Sequence, residues 1–143
     1  MAPPAARRIE TLCLQAVVAV ACVVPLFGGA AGMIMGAHML GGAADPGLDS
    51  HVRYLSGLLF AVGIAFASTI PRIATQTARF RLLTLIVVCG GVARLAGFAL
   101  AGVPPVGMRL ALVMELVVTP ALCLWQASLS RRVKGETTHD VVR

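Results

Sequence analysis

Four apolar stretches, from about Leu12 to Met35, Val52 to Ile70, Leu82 to Ala101 and Met108 to Leu129, occupy most of the 143 residues. Each is close to the roughly 20 helical residues needed to cross a hydrocarbon core about 30 Å thick. Lipid offers no partner to a backbone N–H or C=O, so a spanning segment must satisfy its own backbone, as a helix or in a closed barrel. Barrel strands are short and alternate polar with apolar, whereas these runs are apolar on all sides. The chain is therefore predicted to be all-α, an integral membrane four-helix bundle making one domain over residues 1–130, with a basic and then polar tail over 131–143. The composition, 58% hydrophobic and 13% charged, points to the same solvent, since soluble domains carry about 25% charged residues.

The net charge of +6 does not indicate nucleic acid, because the basic residues sit at span ends and no basic stretch carries interleaved aromatics. Such placement encodes topology. Arg7 and Arg8 precede the first span, Arg72, Arg79 and Arg81 crowd the second connection, and Arg131, Arg132 and Lys134 follow the last. By the positive-inside rule these segments are cytoplasmic. The first connection, with Asp45, Asp49 and Arg53, and the third, with Arg109 alone, then face outward, and both termini lie inside. Arg7-Arg8 before an apolar run has the outline of a signal peptide, but the run is too long for its hydrophobic core, so the segment is expected to be a retained helix.

Within the first span Pro25 is expected to bend the helix, and Gly28, Gly32 and Gly36, four apart, make a ribbon that another backbone can approach closely. Asp49 or Ser50 is placed to cap the second helix. Arg53 then falls in its first turn, where the helix dipole disfavours a cation, so Asp49 one turn earlier is its expected partner. Tyr54 and Trp125 suit the aromatic belts at the two membrane surfaces. VPPVG makes a tight turn between the third and fourth spans, and the segment from Gly135 to Arg143 reads as a loose polar tail. Cys13, Cys22, Cys89 and Cys123 have no paired spacing and read as small packing residues. His38 and His51, near Asp45 and Asp49, match no metal motif.

Two charges stand alone in apolar sequence. Arg94 lies about eight residues before the outer turn, roughly 12 Å deep at 1.5 Å per residue. Glu115 lies on the order of 10 to 15 Å beyond that turn on the next helix. Spans joined by so short a loop are antiparallel neighbours, which brings the two to one level and within reach. Gly90, Ala93, Gly97 and Ala101 share the face of Arg94, and Ala111, Thr119 and Gln126 share that of Glu115, so both are expected to point inward. An isolated charge at a helix centre costs about 2.5 to 3.5 kcal/mol on insertion scales, and a hydrogen-bonded pair is the natural way to hold both. Asp49 and Arg53 would extend this pair into an outer-half cluster with Tyr54 at its edge.

Two roles stay open for that cluster: a structural clasp, or a place where a small ligand or partner helix is received. Glu115 as a proton or cation site of a transporter subunit is one rival. An accessory subunit of a membrane redox complex is another. No nucleophile elbow, phosphate loop, dinucleotide fingerprint or zinc-protease motif is present, so no enzyme activity and no cofactor are expected. The expected partners are the lipid bilayer and either a second copy or another membrane protein, with no nucleic acid.

LDSHVRYLSGLLFAVGIAF, the PRI connection, GGVARLAGFALAGVPP and ALVMELVVTPALCLWQ together resemble the bacterial domain-of-unknown-function 4345 family, small four-helix membrane proteins. The resemblance runs from the late first span to Gln126. It implies a multi-pass protein of the bacterial inner membrane and no assigned activity. The family's recurring elements fall on Asp49, Arg53, Tyr54, Ala93, Arg94, Leu95, Gly102, Pro104, Glu115 and Leu116. Oxidoreductase-associated subunits of the DoxX type are distantly similar in layout, which is an analogy of fold and not of function.

Overall fold

A computed structural model describes residues 4–41 and 45–141; residues 42–44, in the turn-rich first connection, lie outside them. The fold is all-α. Helix α1 spans Pro4–Met35 and continues through Pro25, followed by a 3₁₀ turn at Gly36–Leu40. Helix α2 spans Pro46–Ala67, α3 Thr77–Ala101, α4 Val106–Val113 and α5 Thr119–Val141. Between α4 and α5, Met114–Val118 form a π-helical turn, so the fourth apolar stretch is one helical rod with a widened turn inside it.

Four helical segments are long and apolar enough to cross a membrane: Ala6–Met39, Pro46–Arg72, Thr77–Ala101 and Val106–Val133. They begin or end several residues beyond the apolar runs because helical structure continues through flanking charges such as Arg7, Arg8 and Arg131. The tail is helical as far as Val141, where a loose segment was expected. Apolar side chains such as Val20, Phe27, Ile34, Leu100 and Leu124 are exposed, as suits surfaces facing acyl chains.

The chain packs as two compact units, residues 1–14 with 72–143, and residues 15–71. In the second unit the tail of α1 lies against α2. The contact runs along Gly29, Gly32 and Gly36 rather than along Gly28, which has open space where a side chain would begin. A Cβ on Gly29 would come within 2.7 Å of the Phe60 nitrogen and 2.8 Å of the Ser56 carbonyl, and one on Gly32 would fall on the Ser56 hydroxyl. Spacing by three and then four residues keeps to one helix face better than spacing by four alone, which drifts around a rod of 3.6 residues per turn.

In the first unit the core consists of Leu14, Ile73, Phe80, Leu83, Leu122, Ala127 and Leu129. A polar seam lies among them. Gln126 Nε2 donates to the Ile73 carbonyl at 2.7 Å and to Thr77 Oγ1 at 3.0 Å, and Thr77 Oγ1 donates to Ser130 Oγ at 2.8 Å. Glu10 of α1 accepts from Trp125 Nε1 at 3.2 Å and from Arg132 Nη1 at 3.1 Å. These bonds gather the start of α1, the start of α3 and the second half of α5 at one end of the unit. The exposed Arg8, Arg72, Arg79, Arg81, Arg131 and Arg132 therefore share that end.

Candidate functional site

The two charge pairs expected from the sequence both form, each within its own unit. In the second unit Asp45, followed by Pro46 at the first helical position, caps α2 by accepting from the Leu48 nitrogen at 3.2 Å. Neither Asp49 nor Ser50 is the cap, because Asp-Pro is the stronger start signal and sets the helix four residues earlier. Arg53 consequently lies in the second turn of α2, and the dipole conflict expected there does not arise.

Arg53 serves the other helix. Its Nη1 donates to the Met33 carbonyl at 2.7 Å and the Ile34 carbonyl at 3.0 Å, while Nε meets Asp49 Oδ2 at 2.7 Å. Those carbonyls end α1, where a helix leaves acceptors unsatisfied and its dipole favours a cation. Asp49 Oδ1 accepts from the Ala37 nitrogen at 2.9 Å and so fixes the chain just past the helix end. Gly36 between them has φ +57, and a Cβ there would fall on Asp49 Oδ1. The arrangement locks the end of α1 to α2 and uses up both charges in doing so. Tyr54 is 65% exposed beside it, as an aromatic-belt residue would be. His38 and His51 are exposed, and among the described residues no three His, Cys, Asp or Glu side chains gather as a metal site would require. The four cysteines are free; Cys22 is buried, but Cys13 and Cys89 are exposed, so packing accounts for only part of the set.

In the first unit Arg94 and Glu115 meet as a two-point fork, Nε to Oε2 and Nη2 to Oε1, both at 3.0 Å. Parallel N–H···O bonds of this kind match the planar guanidinium to an acceptor-only carboxylate. The residue that permits the approach is Gly91, one turn before Arg94. A Cβ on it would stand 2.9 Å from Glu115 Cβ and 2.7 Å from Leu116 Cδ2. Gly90 and Gly97, expected on this face, have open space instead. The Gly90-Gly91 doublet held the signal, but only the partner helix decides which of the two is needed.

Glu115 sits in the π turn, and Pro120 explains the turn. Proline has no N–H to offer the Leu116 carbonyl, and its ring crowds that carbonyl. The helix widens in answer: the Thr119 N–H reaches back five residues to the Met114 carbonyl, and Thr119 Oγ1 donates to the same oxygen at 2.8 Å. Gln126, like Glu115, is directed at α3, with Nε2 bonded to Thr77 Oγ1 and the adjoining Ile73 carbonyl, whereas the Thr119 hydroxyl turns back on its own helix.

Beside the fork lies an open groove of about 370 Å³, lined by Arg94, Gly97, Phe98, Ala101, Val103, Pro104 and Met108 among others. Its walls come from the end of α3, the turn at Gly102, where φ is +93, and the start of α4. Arg94 is the one charged residue of this lining, and its side chain keeps 37% of its surface accessible against 17% for Glu115. Arg94 Nη1 has no hydrogen-bond partner among the described residues. Arg94 is thus a lining residue of an otherwise apolar trough and keeps donors that no described residue answers.

The family described as a domain of unknown function, DUF4345, matches residues 13–126, which hold all four candidate spans in whole or large part. No curated protein and no solved structure matches the chain. The stretch covered includes both charge pairs, the π turn and the groove, and the chain belongs to the DUF4345 family.

Proposed function

We propose that this is a non-enzymatic, multi-pass four-helix protein of the bacterial inner membrane, with both termini cytoplasmic, whose Arg94 groove receives a small ligand. One observation carries the reading: Arg94 belongs at once to the fork with Glu115 and to the groove lining. A purely structural clasp gains nothing from keeping unanswered donors on a residue that lines a trough, whereas a binding site needs a polar anchor held rigid by a neighbour. A volume near 370 Å³ falls at the small end of ligand sites, which run from about 300 to 1,000 Å³.

Gly97→Leu tests this, since Gly97 lines the groove and has nothing within 4 Å of a new Cβ. Organic extracts of protein purified in mild detergent are expected to contain a small molecule that the folded variant lacks. Identical extracts would count against the reading. A haem spectrum or a co-purifying catalytic subunit would point instead to the redox role. For topology, tags at either terminus should resist protease in spheroplasts; cleavage of either one refutes the orientation.

The π turn favours one alternative, a transporter subunit with Glu115 as a proton or cation site, because widened turns concentrate at functional positions. Liposomes would then show pH-driven flux that Glu115→Gln abolishes, and a wild type without flux excludes it.

A further inference from the structure

We infer that the groove beside Arg94 accepts an uncharged, largely apolar molecule carrying a carbonyl-type hydrogen-bond acceptor, and not an anion. This rests on reading the groove as a ligand site. An arginine in an apolar trough suggests an anion, but here its charge is already answered. The fork places both Glu115 oxygens 3.0 Å from guanidinium nitrogens, so an anion at the free edge would meet a carboxylate just beyond the cation. The carboxylate lies at roughly twice the distance of the cation, so its repulsion removes about half of the attraction. The cost of stripping water from the anion is not reduced with it.

What the pair leaves is donors without net charge. Nε and one hydrogen of Nη2 are committed to Glu115, while the Nη1 hydrogens and the second Nη2 hydrogen are not. They call for an acceptor. The remaining side chains of the lining, Phe98, Ala101, Val103, Pro104 and Met108, supply no acid or base to steady an ionic ligand. Val103, 76% exposed, lies in the turn between the candidate spans Thr77–Ala101 and Val106–Val133, so the trough is open beside the ends of two spans. A ketone-like small molecule and the ester carbonyl of a bilayer lipid share this chemistry.

The test uses the full chain in lipid nanodiscs at neutral pH with three probes of equal chain length: 2-octanone, octanoate and octane. Binding is read from the shift of the thermal unfolding midpoint with probe concentration. Wild type should bind octanone about tenfold more tightly than octane, the worth of one net hydrogen bond, and more tightly than octanoate. Gly97→Leu should abolish the octanone shift. Glu115→Gln uncovers the guanidinium charge and should reverse the order in favour of octanoate; if that variant fails to fold, the wild-type order of octanone over octanoate decides alone. Ether-linked lipids, which lack ester carbonyls, separate the two sources: octanone binding that appears only in ether-lipid discs identifies a lipid ester as the natural occupant, and equal binding in both discs identifies a free molecule. Octanoate binding wild type as tightly as octanone, with Gly97→Leu blocking both, overturns the inference and leaves the ligand site standing. Failure of all three probes, or indifference to Gly97→Leu, overturns the ligand site as well.

Discussion

Replacing Arg94 and Glu115 by methionine, singly and together, measures what the fork contributes. Charge centres about 4 Å apart attract by about 4 kcal/mol at an effective dielectric constant of 20. That figure is an upper bound here, because the Arg94 side chain keeps 37% of its surface accessible and Glu115 keeps 17%. Removing one partner also strands the other, at about 2.5 to 3.5 kcal/mol for a charge at mid-helix on insertion scales. Arg94→Met strands the more enclosed group and should destabilise by about 2 to 3 kcal/mol, whereas Glu115→Met leaves a long side chain that can tilt toward the interface and should lose about 1 to 2 kcal/mol. The double variant holds no lone charge, and its loss should fall below about 1 kcal/mol. Reversible unfolding in mixed micelles, followed by helical circular dichroism against the denaturing detergent fraction, gives all three values. Single losses that simply add in the double variant would refute the coupling, and with it the claim that each charge is held by the other.

Pro120→Ala returns a donor to the Leu116 carbonyl, so the π turn should close to α geometry and turn Glu115 away; the Arg94–Glu115 coupling measured in that background should drop toward zero. Gly36→Ala puts a side chain into a left-handed backbone position and against Asp49, and should lower stability by about 1 to 2 kcal/mol from the backbone alone, read as a fall in the thermal midpoint. Gln126→Leu orphans the buried Ile73 carbonyl and should cost about 1 to 3 kcal/mol by detergent unfolding. Trp125→Phe removes a bond of 3.2 Å to Glu10 while Arg132 still holds that carboxylate, and should cost no more than about 1 kcal/mol.

The spans and the Arg94–Glu115 pairing were legible because both follow from the bilayer: apolar length fixes the first, and the expense of a lone charge fixes the second. The finer errors have separate causes. Which glycine of a run touches its neighbour, Gly29 rather than Gly28 and Gly91 rather than Gly90, depends on the axial rotation of a second helix, and spacing within one segment carries no record of that. The helix start was readable in Asp45-Pro46, but the acidic residues downstream masked it. Pro120 announced an irregular turn, but spacing alone does not say that the backbone answers by widening over Met114–Val118. The groove has no linear signature at all, since its lining comes from a helix end, a turn and the next helix start.

The widened turn also changes how length variation acts on this rod. It stores one residue of slack, and α4 is rotated by about 100° relative to the phase it would hold in an unbroken helix. In a Pro120→Ala background, deleting a single amino acid between Met114 and Val118 would take up that slack and keep α4 facing α3 as it does now, whereas closing the turn without the deletion would swing α4 by about that angle and show α3 a different set of side chains.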